Sequence, residues 1–561
     1  MEMESSPGSQ LKPVDQEAQD KPGRKKGGWI TLPFNAGNML GLGLAINGTT
    51  SNLLVYLLKE YNVESIDAAQ IANIVRGSLN LVPVAGAVLS DSYFGCFPII
   101  LAGTAINVLA FVLFLLTAAL PSLRPPHCSP PSAACPHGTP GQLAVLYAAV
   151  CLMAIGTGGT RFNVATLGAD QFGSAREQDT FFNWYFVFLY ASFVVGETAI
   201  VYLQDGVSWV IGFGVCLGTA VASLVMLVLG ARYYRMPAPK GSPYTELARV
   251  LVAAVRKARV GVSGEVVQYY VGDGTVADSG SDGAPSKRLG FLNRAAMITA
   301  SDGTPGTSGT TGWRLCTVQQ VEDLKSLLGV LPLWSSGILV SVSIGVMIGL
   351  VILQALAMDR SLGPSFDIPA GSITVCSLAA FIAATPVLER AAFPLWRRAT
   401  RGALPTPLQR VGLGHAVNVA GVVAAALVER HRLGVVRTRR AAGDDVEAVG
   451  WVVPMSALWL LIPLGVVGVG EALHFPGNMA FYYQEFPKTL RSTATAMAPL
   501  LIALGFYLST VFVDVVRRVT AWLPGDINQG RLDNVYWAVA VMATVNFGYF
   551  LLCVRLYKSR K

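Results

Sequence analysis

Four ionisable side chains of this 561-residue sequence stand inside long apolar segments, where a charge is costly to place: Arg76, Arg161, Glu197 and Glu471. Such charges either pair to hold helices together or line a polar cavity. An arginine keeps its proton, and its planar fork suits nitrate, carboxylate or phosphate. A carboxylate that faces the arginine could accept a proton or form a gate. The functional interpretation of these residues is therefore a polar, solute-binding cavity within a membrane.

His474 follows Glu471 by three residues, so the two side chains share one face of a helix. It could relay protons, although a histidine that only packs between helices is the commoner case, and both interpretations stay open. The sequence shows no Ser/His/Asp or Cys/His set suited to nucleophilic catalysis, and no spacing typical of a structural zinc site. We therefore expect neither an enzyme nor a bound cofactor or metal.

The segments that carry these charges predict an all-α membrane protein. Hydrophobic types make up 52% of the sequence, and charged types make up 14%, about half of the share usual in soluble proteins. The apolar residues come in blocks of the roughly 20 residues that a membrane-spanning helix needs, without the short alternating segments of a barrel. Twelve such blocks are predicted near 29–57, 68–89, 97–119, 143–167, 181–203, 208–231, 327–353, 370–388, 410–429, 451–483, 492–515 and 535–556.

A long hydrophilic stretch divides the twelve blocks into six and six. The predicted divisions are a polar tail 1–28, a six-helix bundle 29–231, a linker 232–318 with one amphipathic helix near 244–259, a second six-helix bundle 319–557, and a tail 558–561. The first tail lacks the apolar core of a cleavable signal peptide, so we expect a disordered cytoplasmic tail.

The formal net charge is +8, and the lysines and arginines cluster in both tails, in the linker and in the loop 389–410. With twelve spans, all four regions lie on one side, which the positive-inside rule makes cytoplasmic. One loop disagrees, because Arg432, Arg437, Arg439 and Arg440 would then lie outside. The orientation of the chain in the membrane explains the basic loops, so we expect no nucleic-acid partner. Cys128 and Cys135 share an outer loop, where they could form a disulfide.

The two halves also echo each other in a pair of glycine motifs. Gly156-Thr-Gly158 lies in the fourth block, and Gly468-Val-Gly470 lies in the tenth. Parallel six-span repeats are a feature of one transporter architecture, but glycine pairs also occur wherever membrane helices pack closely.

At these residues the sequence resembles the plant nitrate/peptide transporter family, which is the proton-coupled oligopeptide transporter branch of the major facilitator superfamily. The matching segments are Gly156-Thr-Gly-Gly-Thr-Arg161, Gly168-Ala-Asp-Gln-Phe172, Phe181-Phe-Asn-Trp-Tyr185, Val321-Glu-Asp-Leu-Lys325, Met358-Asp-Arg-Ser-Leu-Gly363, Ile368-Pro-Ala-Gly-Ser372 and Gly468-Val-Gly-Glu-Ala472. The segments Gln70-Ile-Ala-Asn-Ile-Val75 and Trp313-Arg-Leu-Cys-Thr-Val318 look most like the nitrate excretion transporter branch. The resemblance implies two six-helix bundles around a central cavity that works by alternating access.

The resemblance also assigns roles to some of the charged residues. The family usually has a lysine in the fourth span, where this sequence has Arg161, and its tenth-span carboxylate matches Glu471. These two residues would flank the substrate cavity, with Arg161 holding the solute and Glu471 gating or coupling. Arg76 and Glu197 match no charged position of the family, so they are a compensating pair or a specialisation of the branch.

Two departures from the family concern proton coupling. The first-span Glu-x-x-Glu-Arg motif is replaced by Met39, Leu42 and Gly43, and the seventh-span histidine of some nitrate carriers is replaced by Ile344. The loss of two acids and one base raises the net charge of the cavity by one, which favours anions over zwitterionic peptides. Strict proton symport is then in doubt, and flux would follow the electrochemical gradient or couple to protons only through Glu471.

The leading hypothesis from the sequence is a low-affinity nitrate transporter of the plasma membrane, with both termini cytoplasmic. Two alternatives stay open: a carrier of larger organic anions, such as a plant hormone or a glucosinolate-like metabolite, and a nutrient sensor that binds without net transport. The direction of transport, a vacuolar location and the oligomeric state are left open as well.

Overall fold

The computed structural model describes residues 26–126, 136–236, 243–259, 268–272, 275–278, 283–299, 313–364, 366–400, 402, 404–446, 451–486 and 491–557. Within them, twelve helices are long and apolar enough to cross a membrane, which confirms the predicted number. These spans, numbered in chain order below, are Trp29–Tyr61, Ser65–Phe94, Cys96–Ala119, Pro140–Ala169, Thr180–Val207, Trp209–Gly230, Val318–Leu356, Ala370–Ala399, Pro407–Ala441, Ala457–Tyr482, Ala496–Val519 and Leu532–Leu556. The predicted cysteine pair, Cys128 and Cys135, lies outside the described residues.

The spans pack as two groups of six. In the first half, the first span contacts the fifth and sixth, and the third contacts the fourth and sixth. In the second half, the tenth span contacts the eighth and ninth, and the seventh contacts the eleventh and twelfth. The two halves meet chiefly where the second span packs on the eleventh.

The repeated glycine motifs are packing points in both halves. A methyl group added at Gly159 would come within 3.0 Å of the Gly103 backbone, so the third and fourth spans touch backbone to backbone. In the second half, a methyl group at Gly414 would come within 3.0 Å of the carbonyl of Gly470, which brings the ninth and tenth spans equally close. The echo in the sequence therefore reflects the same helix contact made once in each half.

Both ends of the first half lie on one face of the molecule, which we call the terminal face. There the Gly27 amide donates to the Tyr233 carbonyl at 2.8 Å, and Arg235 Nε donates to the Lys26 carbonyl at 2.7 Å. The opposite face, which holds the loop after the first span, is called the distal face. Because successive spans run in opposite directions, Lys26, Tyr557, the described part of the linker and the ends of the even-numbered spans share the terminal face.

The described part of the linker is folded against the second half. It contains the helix Pro243–Arg256, close to the predicted amphipathic helix, and an antiparallel hairpin of strands Gln268–Gly272 and Thr275–Asp278. The apolar side of the helix, including Leu247, packs in one cluster with Val321 at the start of the seventh span. A short parallel pair, Met358–Asp359 with Val453–Ser456, joins the loops at the distal face.

The ninth span corrects one prediction. It was expected to end near residue 429, but the helix Pro407–Ala441 continues for three more turns. The prediction that Arg432 lies in a loop is therefore wrong. Its side chain is fully buried, and its Nη2 bonds Glu429 Oε1 at 2.7 Å. An arginine and an acid three residues apart on a helix neutralise each other, which lets the apolar helix continue past them. The other three arginines of the disagreeing loop lie in its last turns.

The contacts between the halves concentrate in the distal part of the molecule, along a surface we call the distal seam. Asn73 Nδ2 donates to the Gly345 carbonyl at 3.0 Å, and the hydroxyls of Ser78 and Tyr507 lie 2.8 Å apart. At the distal edge, Arg517 pairs with Glu64 at 2.7 Å and with Asp67 at 2.5 Å. These contacts close the space between the two halves on the distal side.

Candidate functional site

Arg161 lies where the fourth span is interrupted. The helix Pro140–Thr160 ends there, and a second short helix, Asn163–Ala169, follows after the two turn residues Arg161 and Phe162, which keep helical dihedral angles. The carbonyl end of a helix favours a cation, so this position stabilises the Arg161 charge.

The Arg161 side chain reaches into a half-open cavity of about 70 Å³ within the first half. One of its five N–H donors is used, because Nη1 donates to the Leu79 carbonyl of the second span at 3.1 Å. No described residue accepts from the other donors, and Arg161 makes no ion pair in the described part of the chain. The cavity, called the Arg161 pocket, is lined by Asn38, Met39, Leu42, Gly43, Ile46, Asn47, Thr157, Thr160, Arg161, Val164, Tyr185, Leu189 and Phe193.

The first-span wall of the Arg161 pocket contains the three positions at which the family resemblance places charges. Met39, Leu42 and Gly43 all line it, and none of them carries a charge. Arg161 is the one charged side chain among the described lining residues. The pocket therefore has a net charge of +1, and its remaining polar groups are amides, hydroxyls and the phenol of Tyr185.

A second group of charges is centred on Glu197, in the fifth span. Its backbone forms a π-helical turn, Gly196–Ile200, which is a distortion frequent at functional sites. Glu197 Oε2 accepts from the Thr374 hydroxyl of the eighth span at 3.5 Å, and Ser51 of the first span lies close to the carboxylate. The carboxylate therefore touches both halves of the molecule.

Arg76 and Glu471 lie close enough to Glu197 to interact with it electrostatically, Arg76 by attraction and Glu471 by repulsion. No described ion pair joins Arg76 directly to either acid. Its guanidinium contacts Asn73 Oδ1 at 3.5 Å instead. We call Arg76, Glu197 and Glu471 the charge cluster. The sequence interpretation placed Arg161 and Glu471 on either side of one cavity. In the structure Glu471 lies within electrostatic range of Glu197 and is not among the described residues of the Arg161 pocket.

The charge cluster lies one helical turn beyond the Arg161 pocket, toward the distal face. In the fifth span Glu197 follows the pocket residue Phe193 by four residues, and in the first span Ser51 follows Asn47 by four. Four residues of α-helix correspond to a rise of about 6 Å. Pocket, cluster and distal seam thus follow one another along the membrane normal.

His474 lies apart from both groups, inside the second half. Its Nε2 is 3.0 Å from Asn478 Nδ2, and its ring stands 5.1 Å from that of His415 in the ninth span. His474 Nδ1 and both ring nitrogens of His415 have no partner among the described residues. His474 is therefore placed against a neighbouring helix, and its role as a relay stays a prediction.

Sequence reasoning did not single out two groups of this region. Thr374 was missed because a threonine in an apolar span gives no signal on its own, although it follows directly on the matched segment 368–372. Tyr185 lies within a matched segment, but an aromatic residue in a span is first interpreted as packing. Their positions in the structure, against Glu197 and within the Arg161 pocket, give them functional relevance.

Comparison with known proteins supports this architecture. A family model described as the POT family matches residues 97–529. The chain is 44% identical to Protein NRT1/ PTR FAMILY 2.3 of Arabidopsis thaliana, over 97% of this chain and 96% of that protein. It is also 44% identical to Protein NRT1/ PTR FAMILY 2.7 of the same plant, over 96% and 94% of the two chains.

Two solved structures share the fold at low sequence identity. The crystal structure of an auto inhibited POT family peptide transporter superimposes with a TM-score of 0.70 at 17% identity, covering 95% of this chain and 98% of its own. That of the POT family transporter PepTSo gives 0.68 at 15% identity, covering 94% and 98%. These similarities show the fold, which is the two-bundle arrangement of the major facilitator type.

Proposed function

Because the chain belongs to the POT family of membrane transporters, within its plant NRT1/PTR group, we propose that it carries nitrate across the plasma membrane. The anion binds Arg161 in the pocket of the first half. Nitrate is planar, as the guanidinium fork is, so two parallel N–H···O bonds can form as they do with carboxylates.

The observation that supports an anion as substrate is the unopposed charge of Arg161. A unit anion 4 Å from a guanidinium gains roughly 4 kcal/mol at an effective dielectric constant of 20. A carboxylate in the same pocket would compete for the donors and repel the anion, but none lines it among the described residues. A zwitterionic peptide would also bring an ammonium group toward Arg161, so the pocket disfavours it.

Alternating access supplies the transport mechanism. The distal seam is closed in this structure, so the pocket exchanges solute with the terminal side in this state. The excess of lysine and arginine in the tails and linker favours the cytoplasm as the terminal side. Rocking of the two halves would break the seam and open the pocket to the outside, and the driving force on the transported species decides whether uptake or export dominates.

Labelled nitrate fluxes in oocytes test this function. Uptake and efflux are measured at acidic and neutral external pH for the wild type, Arg161→Ala and Arg161→Lys. We expect flux in the wild type, loss with alanine, and partial retention with lysine, which keeps the charge but not the fork. Arg518→Ala is the matched control, since Arg518 is an exposed arginine paired with Asp514 at 2.8 Å, far from the pocket. Absence of nitrate flux in either direction, or full flux in Arg161→Ala, would contradict the proposal.

A second candidate, a carrier of larger organic anions, is favoured by the aromatic wall of the Arg161 pocket, to which the rings of Tyr185 and Phe193 contribute. The cavity of about 70 Å³ is smaller than the usual small-molecule site, so this candidate requires the pocket to widen around the ligand. Uptake of labelled aromatic carboxylates in the same oocytes discriminates the two. Carboxylate flux without nitrate flux would favour the organic anion, and nitrate binding without any flux would favour a sensor.

A further inference from the structure

Groups from four other spans lie close enough to Glu197 to affect its charge, one of them by a hydrogen bond. The first span presents Ser51 to it, the second Arg76, the eighth Thr374 and the tenth Glu471. Neither the first nor the sixth span, which also packs against this turn, brings another charged group to it in the described part of the chain. The groups that set the charge of Glu197 are thus one cation and one further acid.

The charges of the cluster do not balance when all three groups are ionised. One arginine faces two carboxylates, which leaves a net charge of −1 in the membrane interior, where uncompensated charge is costly. One bound proton makes the cluster neutral. Glu197 is the member that is hydrogen-bonded across the two halves, through Thr374, so its protonation state affects their contact directly.

Arg76 extends this connection to the distal seam. Its guanidinium contacts Asn73 Oδ1 at 3.5 Å, and the amide nitrogen of the same Asn73 side chain donates to the Gly345 carbonyl at 3.0 Å and to Ser509 Oγ at 3.3 Å. Gly345 and Ser509 belong to the seventh and eleventh spans of the second half. A change at Glu197 can therefore reach the seam through Arg76 and Asn73.

We propose that Glu197 is the proton-coupling carboxylate of this carrier and that its charge holds the distal seam closed. Ionised Glu197 accepts from Thr374 across the two halves, and it attracts Arg76, whose contact with Asn73 supports the seam. A proton from bulk water that binds Glu197 weakens both interactions, and the seam opens. The coupling role rests on the proposed function. If the solute is nitrate, one proton carried with one nitrate makes the transport cycle electroneutral.

The seam itself provides an assay that needs no substrate. Ser509 is fully buried at the seam, and Ser509→Cys is nearly isosteric. Ser122→Cys, at an exposed distal site, serves as the internal reference that removes the intrinsic pH dependence of thiol labelling. Both are introduced in a background with Cys128, Cys135 and Cys151 replaced by serine, and maleimide labelling is measured in nanodiscs by peptide mass spectrometry.

In this assay we expect labelling of the Ser509→Cys thiol, relative to the reference, to rise as the pH falls, by up to about tenfold per pH unit while Glu197 titrates. Glu197→Gln cannot ionise, so its labelling should be high and independent of pH.

The neighbours of Glu197 provide two further variants. Arg76→Gln removes the attraction that favours the ionised acid, so the rise in labelling should begin at higher pH. Glu471→Gln removes a repulsion, so the rise should move to lower pH. Asp514→Asn, a carboxylate outside the cluster, is the matched control and should behave as the wild type.

Three results would overturn the proposal: a wild type whose relative labelling does not change with pH, a Glu197→Gln variant with the wild-type response, or loss of the response in Glu471→Gln alone. If Glu197→Gln does not fold, the Arg76→Gln and Glu471→Gln variants still test the proposal. If their labelling responses do not shift in opposite directions along the pH scale, the titrating acid is not one that Arg76 attracts and Glu471 repels. Nitrate takes no part in the assay. A carrier without nitrate flux would thus fail the proposed function and leave this test intact.

Discussion

Arg161 keeps its charge unopposed because the first-span positions that share its pocket are apolar. Leu42 lines the same cavity and can be replaced without touching the arginine. At this scale the selectivity of the pocket depends on which single side chains add or remove a charge.

The substitution Leu42→Glu tests this dependence. A carboxylate in the Arg161 pocket would occupy the guanidinium and repel an entering anion. We expect nitrate flux at neutral pH to fall by roughly tenfold or more, which corresponds to a loss of about 1.4 kcal/mol of anion binding. Leu42→Gln adds a polar group of similar size without the charge and should retain most of the flux. Equal losses in both variants would attribute the effect to shape and not to charge.

The spans and their order could be predicted from the sequence, because a lipid environment forces long apolar helices and composition alone reveals them. The glycine motifs were also predictive, since the close helix contacts at Gly156 and Gly470 leave little room for a side chain. The end of the ninth span could not be predicted. A hydropathy pattern counts Arg432 as a loop residue, whereas its partner Glu429, one turn before it, cancels the charge inside the helix.

The buried pair of the ninth span gives a prediction for stability. Arg432 bonds Glu429 with two nitrogens and also donates to Asn528 Oδ1 at 2.6 Å, in a site closed to solvent. Arg432→Leu leaves the acid buried and unpaired, so we expect a loss of about 3–5 kcal/mol, seen as a large fall in the melting temperature in detergent. The double variant Glu429→Leu/Arg432→Leu should be clearly more stable than the single one. If both variants melt alike, the two charges do not act as a pair.

The linker docks on the second half and shields Cys316 just before the seventh span. Burial there raises the pKa of the Cys316 thiol to about 11. Relative to a thiol of ordinary pKa, the reactive thiolate of Cys316 should therefore be roughly 100-fold scarcer at neutral pH. We expect Cys316 to resist maleimide in the native protein and to react in Leu247→Glu, which undocks the linker helix. Rapid labelling of the wild type would show that the linker leaves this surface in solution.

The charge cluster exists only at the scale of the whole molecule. Arg76, Glu197 and Glu471 come from both halves and are far apart in sequence, so no local pattern could indicate that they meet. The sequence singled out each of them, because an ionisable residue in a span is conspicuous, yet it placed Glu471 with Arg161 at one cavity and not near Glu197. Which charges face each other depends on how the two halves pack together, chiefly through the second and eleventh spans.

Arg517 gives the last prediction, at the distal edge of the seam. It belongs to the second half and pairs with Glu64 and Asp67 of the first, with about a third of its side chain exposed. Partly exposed pairs contribute up to about 1 kcal/mol and weaken with salt. Arg517→Ala should therefore raise labelling at Ser509→Cys by roughly fivefold at low ionic strength, and by less at high salt.

We call the ion pairs of Arg517 with Glu64 and Asp67 the latch. Reversing their charges distinguishes an electrostatic effect of the latch from an effect of side-chain packing. Arg517→Glu places three acids together and should open the seam further than alanine does. Adding Glu64→Arg and Asp67→Arg to that variant restores attraction with opposite signs, so the labelling should return toward the wild-type rate. A reversed triple variant that stays as open as Arg517→Glu would mean that the shape of Arg517, and not its charge, holds the distal edge closed. Because the latch lies two turns beyond Arg76, its loss should raise labelling at every pH without removing the pH response that Glu197 provides.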